Sequence, residues 1–483
     1  MRDPLKLTPE SLFVGGEWRA PVDGGQPLPV VNPATEETIT TVQLGSAGDA
    51  DAAVGVARGA FPAWSATPLL SRLELMERVC AVYERRMPEI ARAVTTEMGA
   101  PYRKLALPRQ AAVGLLQMRS TIAAARSFSF DWMLNRTTRI RREPVGVCAM
   151  ITPWNWPLNQ MLIKVAPALA TGCTMVVKPS PYAALSATLV AEVMAEAGVP
   201  PGVFNLVHGE APVVTRLASH PLVDMVSLTG SNPAGAAVSA AAAPTIKRVS
   251  LELGGKSPNI ILPGADITAA VAHGVRQMMS NSGQSCNAPS RMLVSRSRLQ
   301  EAEKVARAIA EEIVVGDPLA DATELGPIAN ARQYERVQSL IATGSAEGAR
   351  LVTGGLGRPT PLSRGFFARP TIFSDVTPSM TIAREEIFGP VLVLIPYDTE
   401  DDAVTIANDT PFGLSAYIYG ATREHAIAVG ERMRTGMVHI NGTHTDIDAP
   451  FGGYKQSGHG REWGAWGLED YLETKAMMGI AGS

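Results

Sequence analysis

Over residues 144–255 this chain alternates short apolar runs with segments of helical periodicity, and that pattern constrains its fold more than any other feature. Candidate strands fall at 145–151, 174–177, 203–207, 225–228 and 248–253, the last alternating rather than continuous in polarity. The spacing predicts helices over 158–170, 184–197, 211–219 and 233–243, with Gly172 and Gly198 placed as stops. Strands that are apolar on both faces must be covered on both faces. Helices between them do this in a parallel, doubly wound sheet. A second α/β block is expected over 256–437, with strands at 257–262, 291–295 and 391–396 and a helix over 299–314. Residues 50–125 read as mostly helical. Residues 139–143 and 473–480 read as extended edge segments, a form that invites pairing with another subunit.

Composition narrows the function. The 483 residues suffice for two or three domains and a large core. The chain is 46% hydrophobic and 18% charged with a formal net charge of -3, which argues against a nucleic-acid partner. The basic run from Arg136 to Arg142 is interrupted by Thr and Ile and reads as a strand with a solvated face. No stretch of about 18 apolar residues is present to span a bilayer, and Met1-Arg2-Asp3-Pro4 does not open a secretory signal. Four scattered cysteines form neither a disulfide framework nor a metal-ligand pattern. A cytoplasmic metabolic enzyme without a membrane partner is the expectation.

In an open parallel sheet, ligands bind beyond the carboxyl ends of the strands. Four segments there carry chemistry. Thr152-Pro153-Trp154-Asn155-Trp156-Pro157 is rigid and aromatic, and a held Asn155 carboxamide suits an oxyanion as well as it suits a plain turn. Lys178 closes a buried run, to meet ribose or phosphate or to reach the surface. Gly230-Ser231-Asn232-Pro233-Ala234-Gly235 opens a helix after a strand, which fits a phosphate-binding turn and a structural one equally. Glu252 lies between Leu251 and Leu253 before Gly254-Gly255. Desolvated there, it would be a stronger base; on an edge strand it would simply face solvent. Cys286 stands apart from the other thiols. Ser282-Gly283-Gln284-Ser285-Cys286-Asn287 is small and polar, whereas Cys80, Cys148 and Cys173 sit in apolar runs.

Together with other segments these residues resemble the NAD(P)-dependent aldehyde dehydrogenase superfamily over nearly the whole chain. The matching segments, in family order, are Phe13-Val14-Gly15-Gly16-Glu17-Trp18, Val31-Asn32-Pro33-Ala34-Thr35, Pro153-Trp154-Asn155-Trp156-Pro157, Lys178-Pro179-Ser180, Leu251-Glu252-Leu253-Gly254-Gly255-Lys256, Gly283-Gln284-Ser285-Cys286, Glu386-Ile387-Phe388-Gly389-Pro390 and Pro450-Phe451-Gly452-Gly453-Tyr454-Lys455-Gln456-Ser457-Gly458.

The resemblance implies an aldehyde dehydrogenase-like fold of two doubly wound α/β domains plus a small β oligomerisation arm. The dinucleotide-binding, Rossmann-like domain would comprise 1–124 and 144–255, and the catalytic domain 256–437. Residues 125–143 and 465–483 would form the arm, and 438–464 a return segment lining the active site of a homodimer or homotetramer. It also implies oxidation of an aldehyde to the free acid with NAD, through a thiohemiacetal and a thioester on Cys286. Asn155 is then the oxyanion donor and Glu252 the base for hydrolysis. Glu462 is implied as a second acidic residue, relaying protons with Lys178. The implied cofactor contacts are Ile151, Thr152, Pro153, Trp154, Lys178, Ser180, Gly230, Ser231, Leu253, Gly254, Glu386 and Phe388.

One departure concerns the cofactor. Many NAD-preferring members carry Glu shortly after Lys-Pro-Ser, where Pro181 and Tyr182 stand here; NAD is expected, with NADP also used. On the aldehyde side, the match points to Trp156, Asn159, Gln160, Ile163, Ser285 and Asn287, with Met118 and the loop from Thr443 to Asp448 expected to line the entrance. The lining reads as mixed. No arginine cluster marks a distal carboxylate and no aromatic box a quaternary ammonium, so a medium-sized aliphatic or aromatic aldehyde is expected. Glu252 argues for a free acid rather than an acyl-CoA. An inactive, crystallin-like structural role and a non-redox thioesterase are the alternatives, against which Cys286, Glu252 and Asn155 stand intact.

Overall fold

The computed structural model describes residues 12–480. Two sheets organise it. The first has eight strands, and its five central ones, Arg248–Glu252, Met225–Thr229, Val147–Thr152, Thr174–Pro179 and Phe204–Leu206, lie side by side in that order and run parallel. Helices Pro157–Thr171, Ala184–Glu196, Ala211–Ser219 and Asn232–Ala242 make the crossovers. The apolar runs of the sequence are these strands, and all but the start of Arg248–Glu252 are buried because helices cover both faces. Gly172, at φ +93°, stops the Pro157–Thr171 helix in the left-handed region, where a side chain would be strained.

Chain order reverses beside Val147–Thr152. The chain first winds outward to Thr174–Pro179 and Phe204–Leu206, then crosses back to Met225–Thr229 on the other side. A crevice opens at such a switch point, beyond the carboxyl ends of the strands.

The second sheet has seven strands, in the order Arg350–Thr353, Thr371–Ser374, Val391–Tyr397, Arg291–Ser295, Pro258–Ile261, Ser415–Tyr419 and Met437–Ile440. All its pairings are parallel except the first. Several of these strands are short and polar at one end, which hides them in the sequence. A third, antiparallel sheet joins Leu472–Met478, Thr138–Pro144 and Asp131–Asn135; the two segments expected to be extended are so, but 139–143 lies in the central strand rather than at an edge. Its outer strand is exposed along almost its whole length. Met437–Ile440 is likewise an edge of its sheet.

Residues 47–127 are helical, as expected, but Tyr102–Ala111 is wound as a π-helix between two α-helices. Among the described residues, no helix is long and apolar enough to cross a membrane, and no cluster of His, Cys, Asp and Glu is arranged to hold a metal ion.

Candidate active site

Cys286 lies on the loop between the Ile267–Met279 helix and the Arg291–Ser295 strand. The loop is rigid. Asn281, Ser282 and Gly283 hold three successive left-handed conformations, at φ +56°, +55° and +71°. Such a run persists only where the surroundings impose it. Gln284 is fully buried; its side chain donates to the Asn281 carbonyl at 3.0 Å and accepts from the Ala329 N–H at 2.9 Å. A Cβ on Gly283 would stand 2.1 Å from the Gly389 carbonyl oxygen, so only glycine fits there. Of the four thiols, Cys286 alone is partly accessible; the other three are buried.

The Pro153-Trp154-Asn155-Trp156 segment leaves the central strand and approaches this loop. Asn155 donates one carboxamide N–H to the Gln284 carbonyl at 3.0 Å. Gln110 and Asn281 both donate to the Asn155 carbonyl at 2.9 Å. Trp156 donates its indole N–H to Ser285 Oγ at 2.8 Å. On the other flank, the Tyr417 hydroxyl donates to the Asn287 carbonyl at 2.9 Å.

Glu252 ends the Arg248–Glu252 strand and is 2% exposed, with neither carboxylate oxygen hydrogen-bonded. Burial, and then the Glu462 carboxylate, hold it well above the usual carboxylate range; Lys164 and Arg461 pull the other way. Burial also pushes the Cys286 thiol up, with Glu252 and Glu386 adding to the effect. The chain then crosses from the first sheet to the second against the Cys286 backbone. A Cβ on Gly255 would lie 2.3 Å from the Cys286 carbonyl oxygen, and one on Gly254 would lie 2.4 Å from a Glu386 carboxylate oxygen. Gly255 donates its N–H to Glu386 at 3.2 Å. Burial raises Glu386 to about 7.

A cleft of about 710 Å³ runs from the switch point to Cys286. Ten of the sequence-predicted residues line it: Pro153, Trp154, Asn155, Gly230, Ser231, Leu253, Gly254, Cys286, Glu386 and Phe388. Ile151, Thr152, Lys178 and Ser180 lie behind this lining, at or just past the ends of the two strands beside it. Lys178 donates to the Gly209 carbonyl at 3.3 Å, and burial lowers its pKa to about 8. Ser231 precedes the Asn232–Ala242 helix without capping it through its side chain, and Thr229 Oγ1 has no partner. Phe388, at φ +57°, meets Trp154 edge-on at 5.5 Å.

The opposite side of the thiol is apolar. Ile163, Leu414, Met437, Phe451 and Trp463 pack with Cys286. Asn159 and Gln160, on the first turn of the Pro157–Thr171 helix, are buried and leave Oδ1 and Oε1 without partners.

Two expectations need correction. Glu462 does not meet Lys178. It pairs with Lys164 at 2.5 Å, and Lys164 also donates to Ser227 at 3.0 Å. Lys178 lies in the Thr174–Pro179 strand and points to Gly209. Lys164 was legible in principle, since it is the single charge in an otherwise uncharged 15-residue helix. Met118 lines no entrance; it is 1% exposed in the core of the first layer. Sequence reasoning also missed the far wall of the cleft, where Asn330, Arg332, Gln333 and Arg336 stand at the start of the Ala331–Ala346 helix. Gln333 donates to the Ile387 and Phe388 carbonyls at 2.9 and 3.0 Å and so holds the left-handed Phe388.

A deep switch-point cleft ending at a thiol defines a class, the α/β enzymes that bring a bound ligand against a cysteine. Comparison with known proteins makes this specific. The model of the aldehyde dehydrogenase family matches residues 18–477. A 3-succinoylsemialdehyde-pyridine dehydrogenase of a Pseudomonas species is 56% identical, over 98% of both chains. The crystal structure of a cysteine-to-alanine mutant of aldehyde dehydrogenase C from Pseudomonas syringae, complexed with NAD+ and octanal, superposes with a TM-score of 0.97. It is 51% identical and covers 99% of this chain and 98% of that one. The Mycobacterium tuberculosis aldehyde dehydrogenase complexed with NAD+ has a TM-score of 0.95 at 39% identity, over 98% and 99% of the two chains. The chain belongs to the aldehyde dehydrogenase family.

Proposed function

We propose that this enzyme oxidises an aldehyde to the free carboxylic acid with NAD+, through a thiohemiacetal and then a thioester on Cys286. The observation that carries this reading is an accessible thiol and a carboxamide residue at the end of one cleft, with a buried, partnerless carboxylate close enough to push the thiol's pKa up.

The cleft fits a dinucleotide. Backbone N–H groups at the start of the Asn232–Ala242 helix suit a pyrophosphate, and Gly230 leaves room for one. Thr229 Oγ1 lacks a partner, as a ligand-facing hydroxyl would. Glu386 and Phe388 stand at the end nearer the thiol, for the nicotinamide ribose, and Lys178 serves the adenosine side. Relatives of solved structure hold NAD+. Since neither Pro181 nor Tyr182 offers a carboxylate, NADP is also accepted, more weakly.

Cys286 Sγ loses its proton and bonds to the aldehyde carbon, and the carbonyl electrons move to oxygen. Asn155 keeps a second carboxamide N–H for that oxyanion, alongside the Cys286 backbone N–H. The bound cofactor supplies the hydride acceptor. The acyl carbon is then held as a thioester, which is reactive toward water. Glu252 takes a proton from that water as the C–O bond forms. The C–S bond breaks, the thiolate returns and the acid leaves. Lys164 and Glu462 stand beside Glu252 to carry its proton away. The presence of Glu252 favours hydrolysis over transfer to coenzyme A. The apolar flank of Cys286 suits a medium-sized aliphatic or aromatic aldehyde, as do the octanal complex and the pyridine-linked semialdehyde named for the relatives.

The same reading assigns 1–124 and 144–255 to cofactor binding and 256–437 to catalysis; residues 1–11 and 481–483 lie outside the described structure. The exposed outer strand of the three-stranded arm and the free edge at Met437–Ile440 suit pairing between copies in a cytoplasmic homodimer or homotetramer.

Absorbance at 340 nm with an aldehyde panel, NAD and NADP tests this. The expected result is NADH formation with octanal, a free acid as product, and no stimulation by coenzyme A. Acyl-CoA as the product would overturn hydrolysis, and a tenfold preference for NADP would overturn the cofactor assignment.

A further inference from the structure

We propose that Arg109 anchors an oxygen acceptor at the far end of the substrate, so that favoured aldehydes carry a distal carboxylate or keto oxygen. This rests on Cys286 as the nucleophile.

Sequence alone shows no arginine cluster for such a group. The fold supplies one guanidinium from a distant segment. Arg109 and Gln110 are consecutive residues at the end of the Tyr102–Ala111 π-helix, and such windings concentrate at functional sites. Both turn toward the catalytic loops. Gln110 is buried and holds the Asn155 carbonyl. Arg109 is exposed, donates to Ser280 Oγ at 3.0 Å, and lies 5.8 Å from the centre of the Trp156 ring.

Among the described residues no carboxylate pairs with Arg109, although most exposed arginines of this chain have one. A guanidinium held by a hydroxyl and an indole face keeps its charge and most of its donors for a ligand. Trp156 in turn donates to Ser285, the neighbour of Cys286. That path ties the guanidinium to the loop of the thiol through two side chains, Trp156 and Ser285, and the octanal bound by a relative sets the chain length to try. Asn159 and Gln160 follow Trp156 with unpartnered amide oxygens. Unpaired interior amides are costly, and a polar substrate relieves that cost.

The test compares octanal, 8-oxooctanoate and 7-oxooctanal with wild type, Arg109→Ala and Arg109→Gln. Arg109→Ala is expected to lower kcat/KM about 10- to 100-fold for the two oxygenated aldehydes, as the loss of a charge-assisted hydrogen bond does. Octanal should change less than about threefold. A loss on 8-oxooctanoate alone, only partly restored by Gln, assigns a carboxylate; a loss on 7-oxooctanal alone assigns a keto group. An equal loss on all three means that Arg109 merely supports Trp156 and overturns the proposal, as does no loss at all. Calorimetric binding of octanedioate against octanoate gives a readout independent of turnover. If no aldehyde is oxidised, the reading of Cys286 fails. Tighter binding of octanedioate that disappears in both Arg109 variants then still supports the anchor, and equal binding overturns it.

Discussion

The two sides of Cys286 are built differently. On the cofactor side the walls are largely backbone. Gly254, Gly255 and Gly283 each lie where a single added carbon would strike a neighbour at 2.1–2.4 Å, and Phe388 is fixed in a left-handed conformation by Gln333. On the aldehyde side the walls are side chains. Trp156, Asn159, Gln160 and Ile163 stand on or just before one helix. On the proposed reading, the reaction depends on the course of the main chain, whereas substrate choice depends on side chains.

The largest expected effect lies where the two sides meet. Cys286→Ala should lower turnover about ten-thousand-fold or more, while Cys80→Ala, buried in the core, should leave it unchanged. Comparable losses from both, in soluble protein, would remove Cys286 from its central place.

Next comes Glu252. Since burial raises both this carboxyl and the Cys286 thiol, their ionised forms gain population as pH rises, and activity should climb toward alkaline pH. Glu252→Gln should cut steady-state turnover about 100-fold or more while leaving a first-turnover burst of NADH. The burst rate should still rise with pH, following the thiol. A steady-state profile unchanged in shape by Glu252→Gln would break the assignment of the base.

The smallest effect sharpens the contrast directly. Trp156→Phe removes the bond to Ser285 and should lower kcat/KM for octanal about five- to tenfold. The KM for NAD should not move. A matching change in both would mean that the two sides are not independent.

The same division explains what was legible in the sequence. Strands such as Val147–Thr152 and Met225–Thr229 are buried on both faces, so hydrophobicity alone reveals them, and the segments that end them are where the cleft lies. Cys286 stood out by its polar neighbours, Glu252 and Asn155 by apolar or rigid ones. The far wall did not. Gln333 and Arg336 begin an exposed, ordinary-looking helix, and only the packing of the second sheet brings them opposite Trp154. Lys164 hid for another reason. Its partners Glu462 and Ser227 are 298 and 63 residues away, so its charge inside an apolar helix looked unexplained rather than paired. Lys178 drew that role from the resemblance carried by Lys178-Pro179-Ser180, not from any contact that the sequence shows.

The passage of Gly254 and Gly255 beneath the Cys286 carbonyl has a consequence for recombination. The joint between the two layers is itself part of the reaction centre, so it is the wrong place to cut when building chimaeras. On the proposed reading, a hybrid with new substrate preference exchanges the segment from Trp156 to Ile163 inside one layer and keeps the crossover from Glu252 to Pro258 of a single parent. Diversity in such a scaffold accumulates by substitution within a fixed frame, not by the shuffling of halves.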